Sequence, residues 1–251
     1  MTSGNKLLEA VSVTMRFGGL IALDNVTYSI KEGEVRGIIG PNGAGKTTLF
    51  NVITGELRPT SGKILLRGED ITHLTPHTIC QRGLSRTFQL TFIFPEMTVY
   101  ESIWVGVNSR TKQPWNPLIL AHQASALSKK TQEICYLVGL EEKMNELASN
   151  LSYGDQKILE IAMALSTQPS ILLLDEPTQG VSPKETDNII EVIERLSKNM
   201  TIILIEHSMD VVLHLCHIIT VLNEGRVVAE GSPNEISKNE EVQRVYLGEI
   251  G

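Results

Sequence analysis

Gly40-Pro41-Asn42-Gly43-Ala44-Gly45-Lys46-Thr47 matches G-x-x-x-x-G-K-[ST] at every fixed position. It stands where that pattern has chemical meaning. Val35-Arg36-Gly37-Ile38-Ile39 before it reads as a strand, and Lys46 to Thr54 after it as a helix closed by Gly55. Glycines let the backbone curl so that successive N–H groups point at phosphate oxygens, and the helix adds its positive dipole end. Gly40, Pro41, Asn42, Gly43, Ala44 and Gly45 therefore form a candidate phosphate cradle. Lys46 would reach the β- and γ-phosphates, Thr47 would ligate Mg²⁺, and Thr48 would add an α-phosphate contact. The loop alone implies a nucleoside triphosphate and leaves kinase, GTPase and motor open.

Working outward, short apolar runs alternate with helical patterns, as in a mostly parallel sheet with crossover helices. Ile171 to Leu174 is apolar throughout, as a strand buried on both faces requires, and Thr201 to Ile205 and Ile218 to Leu222 are similar. Val11, Val13, Val26, Tyr28 and Ile30 alternate instead, which predicts an antiparallel edge sheet in the first 30 residues. From about Leu90 to Asn150 the pattern turns helical, interrupted by Pro114 and Pro117. The expected fold is therefore α/β, with an antiparallel edge sheet and an inserted helical lobe. The expected boundaries are 1–89 and 157–251 for the nucleotide-binding core and about 90–156 for the lobe.

Asp175 and Glu176 end the run Ile171-Leu172-Leu173-Leu174, at the sheet edge where such folds bind ligands. Asp175 is suited to hold Mg²⁺ through its water shell, and Glu176 to polarise an attacking water. Ahead of them, Leu151-Ser152-Tyr153-Gly154-Asp155-Gln156 opens a helix whose apolar face runs through Ile158, Leu159, Ile161, Ala162 and Leu165. Ser152-x-x-Asp155 is itself a capping pattern. The N–H groups at Ser152 and Gly154 also make an anion site.

Composition narrows the class. The 251 residues suit one α/β domain, hydrophobic content is 41%, and no stretch approaches the length of a membrane span. Net charge is −7 without a basic block, which argues against a duplex-binding surface. Met1 to Lys6 lacks the apolar core of a secretory signal, and Cys80, Cys135 and Cys216 suit reduced thiols, so a cytoplasmic protein is expected. His214, Cys216 and His217 read as parts of an amphipathic helix without a clear fourth metal ligand.

Residues 151–156, 20 positions ahead of the acid pair, resemble the signature of ATP-binding-cassette (ABC) ATPases. That resemblance covers nearly the whole chain and implies a RecA-like P-loop NTPase core that binds ATP and Mg²⁺. It implies that Ser152 and Gly154 face the γ-phosphate held by a second ATPase subunit. Tyr153 and Asp155 depart from the family's commonest pattern, L-S-G-G-Q, and Asp155 is expected to turn away from phosphate. By the same resemblance Phe17 stacks on adenine (its residue type alone would equally suit a core position) and Gln89 touches Mg²⁺ and the water. Gly180-Val181-Ser182-Pro183 crosses the dimer, and His207 senses γ-phosphate. The catalytic set so implied is Glu176, His207 and Gln89, with Thr47, Gln89 and Asp175 at the metal.

Within the family the chain is similar to the ATPases of branched-chain amino-acid importers. Phe17 to Val26, Thr87-Phe88-Gln89 with Phe94 to Val99, Leu159 to Ala162 and Tyr246 to Glu249 carry this. ATPases of urea and short-amide importers and of a lipopolysaccharide exporter are also similar. The implied partners are two transmembrane permeases and a second ATPase, a copy or a paralogue. Membrane contact would run only through the permeases, on the inner face of the cell membrane. Phe92, Phe94 and Trp104 would form a permease groove or the core of the lobe. A DNA- or ribosome-acting member is the other class. Only 105 positions separate Lys46 from Leu151, with no sustained heptads, and one cassette is present, all against it.

Overall fold

The computed structural model describes residues 6–87, 93–110 and 117–247. Two sheets carry the fold. A four-stranded antiparallel sheet has the order β2-β1-β4-β5, made of β1 (Lys6–Phe17), β2 (Leu20–Lys31), β4 (Ser61–Leu66) and β5 (Glu69–Asp70). A six-stranded sheet has the order β10-β9-β3-β8-β7-β6. Its strands are β3 (Val35–Ile39), β6 (Leu84–Arg86), β7 (Ile171–Asp175), β8 (Thr201–Ile205), β9 (Ile218–Asn223) and β10 (Arg226–Gly231). All its pairings are parallel except that of β10 with β9. This is the expected α/β architecture with its antiparallel edge sheet.

The apolar runs are continuous because both faces of the central strands are covered. Along β7, Leu172 and Leu174 face one core while Ile171 and Leu173 face the other. β8 divides the same way, with Ile202 and Leu204 opposite Ile203 and Ile205. A period of two with no polar phase is what a doubly covered strand produces. The second core lies between the two sheets and takes in Leu49, Phe50 and Ile53 of helix α1 (Lys46–Ile53) with Ile79 of α2 (Pro76–Gln81). Leu173 is fully buried there, so Leu173→Ala is worth about 2–5 kcal/mol of stability.

The first core is covered by α3 (Val99–Ser109), α4 (Pro117–Val138), α5 (Tyr153–Ser166), α6 (Pro183–Ser197) and α7 (Met209–Leu215). α8 (Pro233–Ser237) and α9 (Glu240–Leu247) follow β10. The starts of α3, α6 and α8 use one device, a Ser or Thr with Glu three positions on. Thr98 with Glu101, Ser182 with Glu185 and Ser232 with Glu235 each form a reciprocal capping box. α7 ends at Leu215, so Cys216 caps it and His217 lies beyond it, a correction to the helix expected through all three ligand-type residues. His217 Nδ1 instead accepts the N–H of Val35 at 3.0 Å, and His214 pairs with Glu194 at 2.9 Å. The described residues contain no cluster of three or more His, Cys, Asp or Glu able to hold a metal.

Candidate nucleotide site

Parallel strands β3, β7 and β8 deliver three loops to one sheet edge. From β3 the chain enters 40–45 and turns into α1 at Gly45, whose φ of 101° only glycine adopts easily. A Cβ at Gly40 would stand 2.1 Å from the carbonyl oxygen of Leu222 on β9, so the loop is pressed against the sheet. No side chain caps α1, and no acid lies in its first turn. Its leading N–H groups are thus offered to an anion. The Lys46 ammonium folds back onto the loop, donating to the carbonyls of Gly40 at 2.6 Å and Pro41 at 3.0 Å.

A cavity of about 430 Å³ opens over this loop. It is lined by Asn42 to Thr48, by Phe17 and Leu20 from the β1–β2 turn, and by Glu176, Gln179 and His207. Phe17 is 46% exposed, so it is no core phenylalanine but a ring held at the cavity mouth. The structure brings together Phe17, the loop, Glu176 and His207, which lie far apart in sequence. Gln89 and Phe92 fall outside the described residues.

Glu176 follows β7 with φ at 51°, the left-handed region, and its N–H donates to Ile205 of β8 at 2.9 Å. Its Oε1 lies 2.8 Å from His207 Nε2. When the carboxylate is ionised it only accepts, and Nε2 is then the donor. Asp175 is the deeper acid, with no exposed side-chain surface. Burial raises its pKa; Arg86, donating from Nη2 to Oδ2 at 2.7 Å, pulls the other way, and neighbouring Glu176 raises it again. Asp175 Oδ1 is buried and accepts no hydrogen bond among the described residues. An orphaned carboxylate oxygen at this edge, with Thr47 among the residues lining the cavity, fits a hydrated Mg²⁺.

Ser152 caps α5 by accepting the N–H of Asp155 at 3.2 Å. The Asp155 carboxylate is engaged by the Lys143 ammonium at 2.5 Å and by the Ser152 hydroxyl at 2.9 Å. The N–H of Gly154 donates to Glu185 at 3.0 Å, so Ser152 and Gly154 adjoin α6 rather than the nucleotide cavity of their own chain. Sequence reasoning missed Glu185, although its capping-box spacing after Ser182 was a readable signal. It also gave no role to buried Glu206, which accepts from the N–H and hydroxyl of Thr178 at 2.8 and 2.6 Å, behind the acid pair.

A second, mostly apolar cavity of about 470 Å³ lies between α2, β6 and α5. Ile79, Leu84, Arg86, Phe94 and Met163 line it. Phe94 is exposed there, whereas Trp104 is half-buried on α3.

Residues 23–179 match the family model described as ABC transporter. This chain belongs to the ABC transporter family. Its ATP-binding cassette is an ATPase, and a second model, the branched-chain amino acid ATP-binding cassette transporter, matches residues 226–250. The chain is 44% identical to the high-affinity branched-chain amino acid transport ATP-binding protein LivG of Salmonella typhimurium, over 97% of this chain and 98% of that one. A crystal structure of the ADP conformation of an ATP-binding cassette superposes with a TM-score of 0.84 at 32% identity, over 97% of this cassette and 99% of that one. A dimeric post-hydrolysis cassette bound to ADP and Pi reaches 0.76 at 25% identity, over 90% and 98%. No helix among the described residues is long and apolar enough to cross a membrane.

Proposed function

We propose that this cassette drives import of branched-chain or related amino acids, with ATP hydrolysed between it and a second ATPase subunit. The observation that carries the reading is the single cavity joining Phe17, the phosphate loop, Glu176 and His207. Adenine lies on Phe17 and the triphosphate along Gly40 to Thr48. Lys46 exchanges the carbonyls of Gly40 and Pro41 for β- and γ-phosphate oxygens. Thr47 and Gln89 would hold Mg²⁺, with Asp175 Oδ1 acting through its water shell, and the ion would supply neutralisation of the triphosphate's charge. Glu176 takes the proton of the attacking water, and His207 holds the carboxylate and meets the γ-phosphate.

Ser152 and Gly154 of one subunit close over the nucleotide of the other, with 180–183 crossing between them. The dimeric relative with ADP and Pi supports such a pairing. The lobe of about 90–156 moves against the core of 1–89 and 157–251, the boundary falling in the first turn of α5. Permeases dock on the cavity around Phe94 and Arg86, so the cassette reaches the inner face of the cell membrane only through them. The high identity to LivG supports amino acids over urea, amides or lipopolysaccharide as cargo.

The test is recovery from membranes. The permease pair should copurify, and the reconstituted assembly should take up radiolabelled leucine on adding ATP. Urea uptake without leucine uptake would overturn the cargo, and recovery of ribosomes or DNA instead of permeases would overturn transport.

A further inference from the structure

Arg86 ends β6, the outermost strand of the large sheet, beside Asp175 at the end of β7. The two strand ends are stitched together. Thr87 N–H donates to Leu173 at 2.9 Å, and Asp175 N–H donates to the Thr87 hydroxyl at 3.3 Å. The Arg86 side chain is 7% exposed, and its guanidinium meets three residues on two elements, β7 and α1. Nη2 donates to Asp175 Oδ2 at 2.7 Å, and Nη1 donates to Asn51 Oδ1 at 2.5 Å. The group also lies over the Phe50 ring, 5.6 Å from its centroid. Asn51 is four positions after Thr47, one turn along α1. The planar fork of an arginine can hold two acceptors in fixed directions; a lysine ammonium cannot.

We propose that Arg86 is a positioning residue for the metal. It fixes Asp175 Oδ2 and so turns Oδ1 toward the Mg²⁺ water shell, at a set distance from the Thr47 helix. The orphaned Oδ1 is what this geometry leaves over. Two buried carboxylate oxygens on one carbon share one torsion, so engaging one aims the other. Arg86 also faces the apolar cavity between α2 and α5 with Nη1 3.9 Å from Glu56, so whatever fills that cavity abuts the residue that orients the metal's acid.

The inference rests on the proposed ATP and Mg²⁺ site, and the experiment separates the two. Binding of a fluorescent ATP analogue is measured against Mg²⁺ concentration in Glu176→Gln, so that no hydrolysis intervenes, and again in EDTA. Arg86→Lys and Arg86→Gln are made in that background, so that one remains if the other fails to fold. Asp175→Asn sets the full loss and Asn51→Ala the contribution of the other partner. The expected result is a half-saturating Mg²⁺ concentration raised about fivefold or more in the Arg86 variants, nearing Asp175→Asn. Affinity in EDTA should stay within about twofold, and Asn51→Ala, which loosens Arg86 from α1 but leaves its bond to Asp175, should raise the Mg²⁺ midpoint less than the Arg86 variants do. An unchanged Mg²⁺ midpoint would overturn the proposal. So would an equal loss with and without Mg²⁺, because Arg86 would then act on nucleotide through α1. Failure of the parent to bind the analogue would instead overturn the nucleotide site itself.

Discussion

Glu185 Oε1 accepts the backbone N–H of Gly154 at 3.0 Å while Oε2 accepts the N–H and hydroxyl of Ser182, at 3.0 and 2.7 Å. One carboxylate thus serves the first turns of two helices, α5 and α6. The approach is close enough that a Cβ on Gly154 would stand 2.6 Å from Glu185 Cβ. The donors, those of Ser182 first, hold the Glu185 pKa down at about 2, against an ordinary 4.5.

A depressed carboxyl stabilises the fold fully above its unfolded value and progressively less as pH falls to its folded one. Melting temperatures of the parent and Glu185→Gln should therefore differ most above about pH 4.5 and converge toward pH 2. Glu101 and Glu235 are lowered by like caps, so the parent's own acid decline is shared and the difference between the two proteins is the readout. A gap independent of pH would show that Glu185 acts without its charge.

Glu176→Gln keeps the shape of the acid and its contact with His207 but cannot take a proton. Turnover should fall roughly 10²- to 10⁴-fold, the range for a general base, with ATP still bound and the ATP-dependent dimer accumulating. Single-turnover hydrolysis and light scattering check both. Near-normal turnover would remove Glu176 from the chemistry.

Asp155 spends its charge on Lys143 and on the Ser152 hydroxyl. Asp155→Gln should then keep ATPase activity within several-fold of the parent, whereas Ser152→Arg, which removes the cap and fills the anion site, should abolish it. A loss in Asp155→Gln as deep as that of Ser152→Arg would mean the carboxylate works on the nucleotide directly.

Phe17 is half-exposed, so Phe17→Ala should leave the melting temperature within a few degrees. Stacking of a base on an aromatic ring is worth about 1–3 kcal/mol, which raises the Kd for ATP roughly 5- to 150-fold. GTP and ATP should lose affinity alike, as measured by fluorescence titration. A large drop in stability with unaltered affinity would make Phe17 a structural residue.

The strands were legible because their chemistry is one-dimensional. Ile171 to Leu174 has no polar phase, and so short a run, ending in two acids, suits a strand covered on both faces. The phosphate loop was legible because its glycines answer to local backbone geometry. The contacts of Arg86 with Asp175 and of Glu185 with Gly154 were not legible, since they span 89 and 31 positions and nothing in the intervening sequence marks the pairing; only the cap of Glu185 on Ser182, three positions away, was readable. The misplaced end of α7 has a different cause. Leu213 to His217 keeps an amphipathic pattern, yet the chain must straighten at Cys216 for His217 to reach Val35. Tertiary contact there overrode local pattern.

The backbone at Glu176 has a consequence for how this sequence could be altered. A side chain with a Cβ held at φ 51° carries roughly 1–2 kcal/mol of strain that glycine, and in part asparagine, would relieve. Any selection for thermal stability alone would therefore favour discarding the acid and keeping a sturdier, silent protein. Libraries screened for heat resistance should be enriched in glycine or asparagine at this position, and only a demand for turnover would hold glutamate there.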